Sequence, residues 1–283
     1  MQLLLKDLKS SKIAHINIKM KKFFALLTVL ILLTSCNEYQ KAMKSEDVAL
    51  KFDVATKQYD KGKFDKAIRL YEQIAPAYRG KPQAENMFYN YSQALYKTKQ
   101  YYLAGYQFEN FASSYPKSEK LEEAYFLSAK CYSKLSPVYT LDQVDTYKAI
   151  DKLQNFIDRF PESTYLPESN EIAKTLRNKI EKKAFENAKL YNLISDYKSA
   201  IISLDIFIEE FPGTPFKEEA LYYKFDSAYN LAINSVSEKM QDRLTTAKNA
   251  YNNLIKFNAN TKYKKIADIM LTRIDKDLQQ YSK

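Results

Sequence analysis

The sequence predicts an all-α protein: an α-solenoid of about five helical hairpins closed by a C-terminal capping helix. Three observations carry this. One pattern of small and bulky apolar residues recurs five times at helical spacing. Proline follows the pattern at a fixed distance in three copies. Only 4 of the 283 residues are Gly. A strand-rich fold or a glycine-rich phosphate loop uses more, because tight turns and close approach to phosphate need residues that tolerate positive φ.

Each copy is anchored on a small residue: Ala67, Ala104, Ala149, Ala200 and Ala247, at intervals of 37, 45, 51 and 47 residues. Three residues earlier stand Phe64, Tyr101, Thr146, Tyr197 and Leu244. Bulky residues follow at +4 (Tyr71, Phe108, Leu153, Leu204, Tyr251) and at +7 (Ile74, Phe111, Phe156, Phe207, Leu254). At +11 come Tyr78, Tyr115, Phe160, Phe211 and the exception Asn258. These offsets trace one face of a helix. Pro116, Pro161 and Pro212 then stop it, since Pro lacks an N–H and turns the preceding residue away from helical geometry. Two residues on, Ser118, Ser163 and Thr214 are expected to N-cap the next helix.

A second amphipathic helix precedes each anchor, over about 45–60, 82–98, 118–134, 165–193 and 215–232. The hairpin is therefore the repeating unit. Extra loops are expected at Ser136–Asp145 and at about Ile233–Asp242, and a lengthened first helix in unit 4. A closing helix spans about Lys262–Tyr281. Aromatics at the repeat positions read as core, because a hairpin cannot bury its apolar face alone.

The N-terminus reads as a targeting segment. Lys21 and Lys22 precede the apolar run Phe23–Leu33. As a helix the run would cover ~16 Å, half a bilayer core, which fits a secretory signal rather than a span. Met20 opens a well-formed signal, and translation is expected to start there. Leu33-Thr34-Ser35-Cys36 resembles a bacterial lipobox. That resemblance implies cleavage after Ser35 and lipidation of Cys36, a palmitate-type acyl anchor. Asn37 follows the Cys rather than Asp, which in many bacteria favours the outer membrane.

Composition excludes several classes. The net charge is +10, but residues 1–35 hold six Lys and one acid, leaving +5 on the mature chain. Its basic residues are interleaved with acids, so no nucleic-acid partner is expected. His15 is the only His and precedes Met20, so the mature chain is left without one. No catalytic residues, metal ligands or cofactor are expected. Glu122-Glu123 and Glu218-Glu219 read as first-turn acids meeting a helix dipole, and Cys131 as a small buried helix residue.

Ala55, Gly62, Phe64, Ala67 and Tyr71, then Ser92, Tyr101, Ala104, Phe108 and Pro116, resemble the tetratricopeptide repeat (TPR). That family implies a right-handed solenoid with a groove lined by first-helix residues. Carried over, the peptide-binding positions are Phe52, Thr56 and Tyr59 in unit 1, and Asn86, Tyr89, Gln93, Tyr96 and Lys97 in unit 2.

The lipobox, the five units, the segment Tyr59–Ile68 and the run Asn110–Pro116 together resemble the BamD family of outer-membrane assembly lipoproteins. The resemblance implies a lipid-anchored, non-enzymatic scaffold on the periplasmic face of the outer membrane. Its partners would be unfolded outer-membrane protein precursors and the periplasmic part of a BamA-like β-barrel subunit. The other reading is a different TPR lipoprotein adaptor in envelope or cell-wall coordination. The expected layout is a signal peptide over 1–35, the lipidated Cys and a short tether over 36–44, units 1–3 over 45–160, and units 4–5 with the cap over 161–283.

Overall fold

The structure, a computed structural model, describes residues 38–281. Cys36, Met20 and the signal segment lie outside the described residues. Twelve α-helices and no strand occur among those described: α1 (38–44), α2 (Val48–Asp60), α3 (Phe64–Tyr78), α4 (Ala84–Lys97), α5 (Tyr101–Ser114), α6 (Leu121–Leu135), α7 (Val144–Arg159), α8 (Leu166–Leu193), α9 (Tyr197–Glu210), α10 (Lys217–Ile233), α11 (Ser237–Phe257) and α12 (Lys264–Leu278). A 3₁₀ turn, Gln279–Tyr281, follows.

The chain forms two compact units, residues 38–131 and 132–281 of those described. In the first, α2 pairs with α3 and α4 with α5. In the second, α8 pairs with α9, α10 with α11, and α12 closes against α11. Neighbouring hairpins within a unit stack in chain order, as in an α-solenoid. All five anchor alanines are fully buried, and the +7 side chains are fully or almost fully so. The small anchor lets the paired helices approach, and the bulky residue two turns on fills the space between hairpins. In the second unit the buried Asn192 ties α8 to α10, donating to Asp226 Oδ2 at 2.7 Å and Ser227 Oγ at 2.9 Å.

The linkers between hairpins share one geometry. Tyr115, Phe160 and Phe211, each before Pro, take φ/ψ of −126/62, −126/66 and −124/66. They leave the helical region as the following ring requires. Their N–H groups still donate to Phe111, Phe156 and Phe207. The next helices begin three residues after Ser118, Ser163 and Thr214, so the expected N-cap role is corrected. Each hydroxyl instead accepts from the N–H two residues on, at 3.0, 3.0 and 3.3 Å. A short hydroxyl side chain reaches that N–H most easily, and it closes a turn ahead of the helix. The first linker uses another device. Arg79 at φ/ψ −54/127 and Gly80 at φ +79 form a type II turn, which calls for Gly at its third position.

The long α8, 28 residues, and the loop after α6 match the expectation. The loop expected at about 233–242 does not form. Only residues 234–236 separate α10 from α11, and the extra residues lengthen α11 to 21. Ser237–Arg243 contains neither Gly nor Pro, and Glu238 faces the helix N-terminus. Arg243 donates to Ser235 Oγ at 2.6 Å and ties the new turn down. Residues 38–44, read from the sequence as tether, are helical, with Tyr39 and Ala42 buried.

Candidate functional site

The first unit holds an open cleft of about 320 Å³ between the start of α4 and the approach to α6, lined by Pro82, Glu85, Asn86, Tyr89, Glu119 and Lys120. Asn86 and Tyr89 are spaced three apart, so α4 points both to one side. The Tyr89 ring stands edge-on to Phe108 and tilted on Phe111, with centroids at 6.3 and 5.5 Å. Lys120 Nζ lies 5.5 Å above the same ring. Gln93 sits one turn along α4, buried, and donates from Nε2 to the Tyr89 hydroxyl at 2.8 Å.

The electrostatics join α2 to this cleft. Burial, then the nearby Glu123 carboxylate, push the Tyr89 phenol far above its ordinary range. Tyr59 is raised by burial, then by Asp60 and Glu123. Glu123 thus acts on one tyrosine from each hairpin, and both remain neutral O–H donors at any physiological pH. Glu85 and Glu119 line the cleft against the single Lys120, so the cleft is more acidic than basic. Its rim pairs an aromatic face with an amide and a fixed hydroxyl. Such a set can hold an extended backbone and one apolar side chain.

Of the eight positions read from the sequence, Asn86 and Tyr89 line the cleft, Gln93 braces Tyr89, and Tyr59 shares Glu123. The others lie elsewhere. Phe52 stacks on Tyr78 at 5.0 Å. Thr56 Oγ1 and the Tyr71 hydroxyl are buried beside each other without the distance or alignment of a hydrogen bond. Burial pushes the Tyr71 phenol up to about 12. Tyr96 packs on Tyr101 across its own hairpin turn at 5.9 Å. Lys97 is exposed in the last turn of α4. Sequence reasoning missed Glu119 and Lys120 as cleft residues, because both belong to the approach to the next hairpin. Cys131 is fully buried, and burial lifts its thiol to about 12, the state of an inert core residue. No group of three potential metal ligands occurs among the described residues, and no described helix is long and apolar enough to cross a membrane.

Residues 44–194 match the YfiO family, described as outer membrane lipoprotein. The chain belongs to this family. Relatives of the YfiO chain include the outer membrane protein assembly factor BamD of Aquifex aeolicus, 26% identical over 79% of this chain and 74% of its own. Another is BamD of Rickettsia prowazekii, 25% identical over 64% and 72%. BamD of Xylella fastidiosa is 21% identical over 78% and 80%. Among solved structures, YrrB, described as a TPR protein with an unusual peptide-binding site, overlaps 84% of this chain and 97% of its own. Its TM-score is 0.29 at 14% identity, too loose to bear on fold or binding.

Proposed function

We propose that this YfiO-family chain is a lipid-anchored scaffold for outer-membrane protein assembly. In this reading the cleft of the first unit receives extended segments of unfolded outer-membrane protein precursors. The C-terminal hairpins dock the periplasmic part of a BamA-like barrel subunit. Family membership and the assembly-factor relatives support the role. The observation that carries the cleft assignment is Tyr89: an aromatic ring lining the cleft beside the exposed Asn86 amide, with its hydroxyl held by Gln93 Nε2. The acidic balance of the cleft favours segments poor in Asp and Glu.

The test is affinity for a peptide copied from the C-terminal strand of an outer-membrane barrel protein. Tyr89→Ala should weaken it by about 1–3 kcal/mol, the range for a buried aromatic anchor. Tyr96→Ala, which removes a ring packed on Tyr101, should leave it unchanged. Both variants should keep their circular dichroism and still co-purify with the barrel subunit. Unaltered peptide affinity in folded Tyr89→Ala moves the site away from this cleft.

A further inference from the structure

We propose that the N-terminal end of the first unit binds lipid headgroups. The turn between α2 and α3, together with α1, presents a collar of lysines to the phosphates of the bilayer that holds the anchor. This rests on the reading of Cys36 as the acylated residue.

The inference starts from α1, which is docked rather than trailing. Tyr39 and Ala42 are buried. Glu38 Oε1 meets Lys57 Nζ at 2.7 Å, and Lys66 Nζ lies 5.1 Å over the Tyr39 ring. Residue 38 therefore sits beside the last turn of α2 and the first turn of α3, at the end where Lys61-Gly62-Lys63 reverses the chain. From Cys36 to residue 38 are two residues, which span at most about 7 Å when extended. An acyl-anchored Cys36 lies at the bilayer surface, so this end of the unit is held at headgroup depth without slack.

What the docked end presents is basic. Lys41, Lys61 and Lys63 are exposed there, Lys57 is exposed but paired with Glu38, and Lys66 is half-buried. The carboxylates are fewer. Glu38 is already paired, and its carboxyl is held below the ordinary range by Lys57 and then Lys61. Asp53 and Asp65 flank the cluster. The charge of Asp60 acts on Tyr59 and Tyr71, on the side facing the next hairpin. Lysines at this depth are attracted to phosphodiester headgroups, an interaction that salt screens.

The experiment reconstitutes the acylated mature protein into vesicles of phosphatidylethanolamine and phosphatidylglycerol that carry a headgroup quencher. A dye is placed at Asp65→Cys, beside the turn, or at Glu46→Cys, about 20 Å away before the far end of α2. Both sites are exposed, and Cys131 is too buried to label. Emission should be lost at 65 and kept at 46; equal emission from both sites overturns the orientation. Separately, the unacylated Cys36→Ser mature chain should sediment with the same vesicles at low salt. Lys61→Gln with Lys63→Gln should lower that partitioning roughly 30-fold, about fivefold per lysine near a charged surface. Unchanged partitioning of the folded double variant overturns the lysine contact. Absence of an acyl group on wild-type Cys36, with lysine-dependent sedimentation intact, removes the anchor and leaves the collar standing.

Discussion

Thr261 stands fourteen residues after Ala247, the offset that Ser118, Ser163 and Thr214 keep from their own anchors. No Pro marks it, so nothing in the repeat pattern sets it apart. Its hydroxyl accepts from the Tyr263 N–H at 3.3 Å and donates to Glu218 Oε1 at 2.5 Å. Ser118 makes the same reach to Glu85 Oε1 at 2.6 Å. A first-turn carboxylate of one hairpin thus latches the hydroxyl turn that ends the next linker. The Thr261 bond comes first among the causes that hold the Glu218 carboxyl below its ordinary range. A depressed carboxyl adds stability that is complete above its unfolded value, near 4.5, and is lost as pH falls through the lower folded value. Thr261→Val should therefore lower stability more at pH 7 than near pH 2, where the loss that remains is that of the Tyr263 N–H bond. Denaturant unfolding across that range checks it; a pH-independent loss would show that the latch acts through packing alone.

The hairpin turns carry the clearest conformational cost. Five residues before three of the anchors, the chain enters left-handed geometry: Gly62 at φ +69, Lys99 at +61 and Ser195 at +64. Each N–H donates back to Tyr59, Tyr96 or Asn192, and the next N–H to Gln58, Leu95 or Tyr191, which is the Schellman pattern. Gly fits it without strain, whereas Lys and Ser do not. Lys99→Gly and Ser195→Gly should each stabilise the protein by about 0.5–1 kcal/mol, and Gly62→Ala should destabilise it by a similar amount. Thermal or urea unfolding measures both signs together. The Gly in the first hairpin was legible as a turn. The other two turns were legible only as gaps in the apolar pattern, because neither Lys nor Ser signals positive φ.

For the whole molecule, the lipoprotein reading proposed above assigns attachment to Cys36, outside the described residues. Acyl chains contribute ~0.8 kcal/mol per buried CH₂, so multiple chains hold a protein whose described helices include none long and apolar enough to cross a membrane. Cys36→Ala should leave the protein in the soluble fraction or unprocessed in the inner membrane, with the helical fold intact. Fractionation and the mass of the mature N-terminus check this. A mature wild-type chain without acyl mass would end the lipoprotein reading of Cys36.

The sequence alone determined the helical hairpins and the buried face of each second helix, but not α1 or the first turns of α11. The hairpins and that face follow from apolar spacing and proline, which act within one or two turns of chain. It also determined which residue types could line a groove, but not which of them meet. Tyr96 has the same chemistry as Tyr89, yet it faces its own hairpin turn while Tyr89 faces the next hairpin. Glu123 reads in the sequence as a helix-dipole acid, and nothing there singles out Lys120; stacking carries both to Tyr89. The docking of α1 was likewise hidden, since its contacts with Lys57 and Lys66 join residues 19 to 27 positions apart. Local periodicity encodes an element. A site needs side chains from elements distant in sequence, and their meeting is decided only when the hairpins stack.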